Sequence, residues 1–319
     1  MFTRRHLLAG SAAVAAASSL PARAAAPASG KQAAAFYRYK IGSYELTAIH
    51  DGVWLREIDY TLVRNAGWNA VAFAMADAHM SPQILPTPFT PVVINTGSKL
   101  VMIDTGTGGQ FPAPSGSFLA NLDAAGIDPK AIDLILISHF HADHINGLRD
   151  KDGGIVFANA EIHVAAPEWA YWMNDANMMK APESARPVWL NVRRVFKDIA
   201  DRVSRFENGK ELAPGIAAML TPGHTPGHTS FTLASHGQSM LVLGDVTNNP
   251  YLFLRHPDWQ GTFDVDGPLA VETRRKVFDR VAADRMLVQG YHFPFPATGY
   301  VNRTASGYDL VPVTWQPAL

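Results

Sequence analysis

Seven consecutive residues, Ser138-His139-Phe140-His141-Ala142-Asp143-His144, constrain this chain more than any other stretch. Three imidazoles and one carboxylate fall within six positions, directly after the apolar run Ala131-Ile132-Asp133-Leu134-Ile135-Leu136-Ile137. A short run so rich in isoleucine and leucine predicts a strand buried on both faces. The polar cluster then stands where a central strand ends and a loop begins. Residues two apart in an extended segment project to the same side, so His139 and His141 can converge on one ion. Asp143 and His144 come after the chain starts to turn and can face a second ion beside the first. Four good ligands at the end of a core strand predict a metal site rather than a histidine-rich surface loop.

The rest of the composition narrows what such a site can be. The chain has no cysteine, which excludes disulfides, thiolate ligands and cysteine nucleophiles, so His and carboxylates must hold any metal. A formal charge of -1 gives no electrostatic attraction to nucleic acid or to anionic membrane. The 319 residues, 47% of them hydrophobic, suffice for one large α/β domain. The N-terminus reads separately. Arg4-Arg5 precedes an Ala-rich apolar stretch to Leu20, and Ala22-Arg23-Ala24 offers a cleavage site. Residues 1–24 are therefore expected to be a twin-arginine signal peptide, too weakly apolar for stable membrane insertion, with delivery to the periplasm or exterior. Without Arg4, Arg5 and Arg23 the mature chain is mildly acidic.

Residues 25–35 read as a flexible lead-in and 36–319 as a single domain. Strands and turns are expected over 36–55. Segment 56–90, broken by Pro82, Pro86 and Pro88, reads as an insertion packing over the domain, with lining a pocket and plain core packing both left open as its role. Hairpins are expected around Gly97-Ser98-Lys99 and around His236-Gly237. Helices are expected over 117–125, from Pro167, over 187–203 and over 271–283, with a last strand over 286–292. Three further potential ligands, His224, Asp245 and His292, stand where strands end.

The succession HxHxDH, TPGHTPGH, LGD and a late GYH resembles the metallo-β-lactamase superfamily, from about Ile41 to Tyr300. The resemblance implies an α/β protein, an αβ/βα sandwich of two mixed β-sheets flanked by helices, with metals at one edge. It implies that His139, His141 and His224 hold one divalent ion, that Asp143, His144 and His292 hold another, and that Asp245 bridges them. Zinc is the expected metal, with manganese, cobalt or iron as alternatives. Within the superfamily the motif spacings, the exported leader and the proline-rich stretches are most similar to the methyl parathion hydrolases and related aryl-ester and lactone hydrolases. A group of acyl-homoserine lactonases carries tyrosine three residues after the bridging aspartate, where this chain has Asn248.

The implied chemistry is hydrolysis of small neutral esters, whether lactones, aryl esters or organophosphate triesters, by a hydroxide shared between the ions. Asp143 and Asp245 are the expected catalytic carboxylates. Phe111 and Trp172, with Phe253 and Phe263 as further candidates, are expected to line an apolar substrate pocket. No cluster of basic residues accompanies the ligand motifs, so a charged clamp is not expected, although Arg255 could fold back over the site. His228 reads as supporting the site, and Asp104 as orienting a histidine or capping a turn. An iron-dependent sulfur dioxygenase on the same fold is the alternative. The expected partners are a small-molecule ester and the export machinery, with a homodimer left open.

Overall fold

The structure, a computed structural model, describes residues 28–319. The expected leader, 1–24, lies outside the described residues, as does the start of the lead-in. Contacts divide the chain into Met1–Ala33 and Ala34–Leu319. Among the described residues no helix is long and apolar enough to cross a membrane.

Two seven-stranded sheets build the second unit. In chain order its first strands are β1 (Phe36–Ile41), β2 (Tyr44–Ile49), β3 (Gly52–Glu57), β4 (Ile84–Phe89), β5 (Val92–Asn95), β6 (Leu100–Ile103), β7 (Leu134–Ile137), β8 (Glu161–Ala165) and β9 (Val203–Phe206). They continue with β10 (Glu211–Ala213), β11 (Ile216–Leu220), β12 (Thr229–Ser235), β13 (Gln238–Val242), β14 (Leu287–Gln289), β15 (Thr298–Arg303) and β16 (Tyr308–Pro312). One sheet runs β1-β2-β5-β6-β7-β8-β9, the other β10 to β16 in sequence order, and β3 pairs with β4 as a separate ribbon. Both sheets are mixed: β6, β7, β8 and β9 are mutually parallel neighbours, and β13 and β14 pair in parallel.

β7 shows why a continuous apolar run belongs in the middle. Leu134 and Leu136 join the layer between the sheets, against Ile216, Phe231 and Val242 of the second sheet. Ile135 and Ile137 face the other way, onto the helix side with Leu122, Val192 and Phe196. Helix Gly267–Ala283 covers the outside of the second sheet through Val277, Phe278 and Val281. The arrangement is the expected sandwich, helices outside and sheets within.

Several boundaries differ from the sequence expectation. The helix expected over 187–203 spans Arg186–Phe196. The buried Arg149 guanidinium takes the carbonyls of Val195 and Lys197, and Val203 is drawn into β9 beside β8. The helix expected from 271 starts at Gly267, because Asp266 caps it by accepting from the Leu269 amide. The last strand is confined to Leu287–Gln289, which leaves Tyr291 and His292 in the turn beyond it. Segment 56–90 holds the helix Trp68–Asp77 and strand β4, and packs Val71, Met75 and Leu85 against Leu252, Phe253 and Trp259.

Candidate metal centre

All seven candidate ligands lie beyond the C-terminal ends of strands. His139 and His141 follow β7, and Asp143 and His144 sit in the single turn Ala142–Ile145. His224 follows β11, Asp245 follows β13, and His292 follows β14. The structure brings them together. His139 Nε2, His141 Nδ1 and His224 Nε2 stand 2.9–3.1 Å from one another. Asp143 Oδ2 is 3.5 Å from Nε2 of both His144 and His292. Asp245 spans the two groups: Oδ1 is 3.4 Å from His144 Nε2, and Oδ2 is 2.9 Å from His292 Nε2 and 3.5 Å from His224 Nε2.

Neighbouring residues fix which nitrogen faces inward. Asp104 accepts from His144 Nδ1 at 2.8 Å and Asp264 accepts from His224 Nδ1 at 2.9 Å. The Pro88 carbonyl accepts from His292 Nδ1 at 2.8 Å. Ser138 Oγ donates to Asp104 at 2.7 Å and so can accept from His139 Nδ1 at 3.0 Å. Carboxylates and carbonyls only accept, so each of these imidazoles turns an Nε2 lone pair to the centre. Asp104 thus both orients a histidine and holds the turn, accepting also from the Ser138 amide at 2.8 Å, and it does so in a left-handed conformation at φ 59°. His228 acts on the backbone: Nε2 accepts from the Asp245 amide at 2.8 Å while Nδ1 meets Thr221 Oγ1 at 2.8 Å. Gly244, at φ +57°, leaves room for it, since a Cβ there would stand 2.7 Å from His228 Nε2.

Lone pairs and carboxylates converging on a buried point require positive charge. Burial and the neighbouring His144 and His224 imidazoles hold His139 well below its ordinary pKa. His141 is lowered to about 3 by burial and by His224. Burial also opposes charge on His144, yet Asp245, Asp143 and Asp104 outweigh it and push its pKa well up. Burial likewise disfavours a charged Asp245, but His292 and His144 hold its carboxyl well below the usual range. Among the described residues His144 Nε2 and Asp245 Oδ1 are buried without a hydrogen-bond partner. Divalent cations satisfy all of these groups at once, and the donor set of five histidines and two aspartates suits zinc or a similar ion. The residues fit two ions.

The centre opens on a pocket of about 920 Å³. Trp54, Phe89 and Phe111 form one wall, with Phe111 edge-on to both neighbours at 5.5 and 5.6 Å. Trp172 and Phe263 contribute elsewhere, although Trp172 is only 2% exposed and lies against Trp189 at 4.5 Å. Three expectations need correction. Phe253 is buried behind Phe263 in the core beneath the 56–90 segment and does not line the pocket. The pocket does carry cations, Arg56, Arg64 and Lys180, the first two brought in by the segment whose role the sequence left open. Arg255 is not among them; it pairs with Asp77 and Asp309. Asn248 stands on the pocket with Nδ2 3.4 Å from Asp245 Oδ2.

Sequence reasoning missed Asp264, Tyr291 and Glu168. Tyr291 donates to the Asp143 carbonyl at 2.6 Å and lays its ring 3.9 Å from that of His144. The signal for Glu168 was an acid set among Trp169, Tyr171 and Trp172; Asp264, forty residues from His224, offered none.

The family model of the metallo-beta-lactamase superfamily matches residues 90–288. Among solved structures, AidC, a dizinc quorum-quenching lactonase in complex with a product, is 26% identical at a TM-score of 0.83, covering 88% of this chain and 98% of its own. Hydrolase AbOPH of the beta lactamase superfamily is 28% identical at a TM-score of 0.83, covering 90% and 100%. The N-acyl homoserine lactonase AiiA of Bacillus thuringiensis subsp. kurstaki is 29% identical over 122 residues, 38% of this chain and 41% of that protein. The uncharacterized protein YobT of Bacillus subtilis is 23% identical over 159 residues, 50% of this chain. The match to these two relatives spans 62% of YobT and less than half of the lactonase. With the family match covering well over half of its length and the sandwich carrying both ligand groups, this chain belongs to the metallo-β-lactamase superfamily.

Proposed function

We propose that this chain is a dinuclear metal-dependent hydrolase of small neutral esters, lactones first, with aryl esters and organophosphate triesters in the same class. The observation that carries the reading is the pair of ligand groups joined by Asp245 at the floor of an aromatic-walled pocket. Two divalent cations, zinc foremost, supply Lewis acidity there and lower the pKa of water toward about 7. The chain's own residues do the rest. Asp245 spans both groups, and His228 fixes its backbone. Asp143, its side chain 15% exposed against 3% for Asp245, faces the pocket. With Oδ2 turned to His144 and His292, its other oxygen, Oδ1, is the one left to move a proton between attacking water and departing alkoxide. Trp54, Phe89 and Phe111 offer an apolar surface to an acyl chain or aryl leaving group.

The likeness to AidC along nearly the whole of that lactonase supports the lactone class. The narrower kinship with methyl parathion hydrolases belongs to the same proposal. A mononuclear iron dioxygenase is not favoured, because both ligand groups are complete. The test is a hydrolysis panel on purified zinc-loaded protein: N-hexanoyl homoserine lactone, phenyl acetate and a neutral aryl phosphotriester. Turnover of the lactone, with slower cleavage of the others, is expected. Cleavage of none of them refutes the reading.

A further inference from the structure

Four of the five candidate histidine ligands have their second nitrogen held by a protein acceptor: His139 by Ser138, His144 by Asp104, His224 by Asp264 and His292 by Pro88. His141 has none among the described residues; both of its hydrogen-bond contacts run to His139 and His224 through Nδ1. Its ring packs instead against Trp172, edge-on at 6.1 Å. Something else must set its orientation.

Trp172 is itself held by a buried acid. Glu168, 1% exposed, accepts from Trp172 Nε1 at 2.7 Å. The same oxygen, Oε1, accepts at 2.8 Å from the amide of Phe140, the residue between His139 and His141. The other oxygen, Oε2, accepts from Thr225 Oγ1 at 2.8 Å and from the Gly227 amide at 2.9 Å, both in the loop that begins at His224. That loop lies against the backbone of Glu168: a Cβ on Gly227 would stand 2.1 Å from the Glu168 amide nitrogen. Every partner is a donor, so only a group with four acceptor sites satisfies them, which an ionised carboxylate provides.

We infer that Glu168 is a positioning residue for the His139–His141–His224 group, tying its two loops together and setting His141 through Trp172. Among the described residues its hydrogen bonds run to Phe140, Trp172, Thr225 and Gly227 and none to Asp143, His144 or His292, so its influence should fall mainly on one of the two sites. The inference rests on the two-ion reading above. The carboxylate is linked at once to the metal-holding loops and to a pocket residue, so loosening it affects first-site affinity and the pocket together.

Glu168→Gln tests this. The amide group would present hydrogens to two of the four donors and leave them unmet. Competition between a chromophoric chelator and the protein for zinc reads the two sites separately. In the wild-type protein two ions are expected. In Glu168→Gln one should weaken by roughly 10- to 100-fold, as for other groups that orient metal ligands, while the second keeps its affinity. Thr225→Val removes a single donor and should weaken the same site by roughly 3- to 10-fold. This milder variant decides the matter if Glu168→Gln does not fold. Equal weakening of both sites marks a general structural role and overturns the inference, as does unchanged affinity at both. Wild-type protein that binds no zinc refutes the metal centre itself.

Discussion

Asp264 is the acid that a metal-centred reading of the sequence passes over, and its removal should be costly before any metal is bound. Asp264 Oδ1 receives His224 Nδ1 at 2.9 Å, and Oδ2 lies 3.4 Å from the Arg274 guanidinium, with both side chains 1% exposed. Burial alone would favour a neutral carboxyl, yet His224 and Arg274 pull its pKa below the ordinary value and keep it charged. Asp264→Asn preserves the shape and deletes the charge. Removing one partner of a buried ion pair costs about 3–5 kcal/mol. Arg274 keeps the carbonyls of Val246, Pro257 and Trp259 as acceptors, which cushions the loss. The lower end, about 3 kcal/mol, is therefore expected. Urea unfolding of zinc-free protein measures it. Arg274→Met in the same background should recover part of the loss, so that the double variant falls short of the summed single effects by more than about 1 kcal/mol. An Asp264→Asn variant within about 0.5 kcal/mol of wild type, or strict additivity, would refute the reasoning.

Asp245→Ala should lower kcat/KM by more than about a hundredfold with far-UV circular dichroism unchanged, because the carboxylate that spans both groups is gone; near-normal turnover would count against its role. Phe111→Ala should raise KM for apolar esters by roughly tenfold and leave zinc content unchanged, which steady-state kinetics and elemental analysis check together. Trp172→Ala should instead destabilise the protein by about 3–5 kcal/mol in urea unfolding, since the ring is buried against Trp189 and bonded to Glu168. Burial holds His228 neutral with a pKa lowered to about 3. The unfolded chain therefore binds a proton there that the native protein does not, between about pH 6.5 and 3. Zinc-free stability should fall on acidification through this window, by roughly 1.4 kcal/mol per pH unit for this residue, and His228→Asn should remove that share of the slope.

The parts of the molecule that were legible in the sequence are those written in local pattern. The buried strand before His139, the two hairpins and the ligands at strand ends each sit within a few residues of their own signal. What escaped was carried by contacts across the chain. The helix ending at Phe196 stops where a guanidinium nearly fifty residues earlier takes its carbonyls, and no periodicity records that. Asp264 and Glu168 gain their meaning only from His224, Phe140 and Gly227, which the fold brings to them. Arg56 and Arg64 reached the pocket from a proline-broken segment without a readable period, so the cations it adds were not foreseen. The same segment supplies the Pro88 carbonyl to His292, a backbone group invisible to any reading of side chains.

The central claim is that two separate ligand groups, joined by Asp245, each hold an ion. Elemental analysis of the protein purified without chelators, side by side with His292→Ala, tests it most directly. Two divalent ions per chain are expected in the wild type and one in the variant, with ester hydrolysis lost alongside the second ion. A single tightly bound ion in both proteins, with hydrolysis unaffected by the substitution, would contradict it.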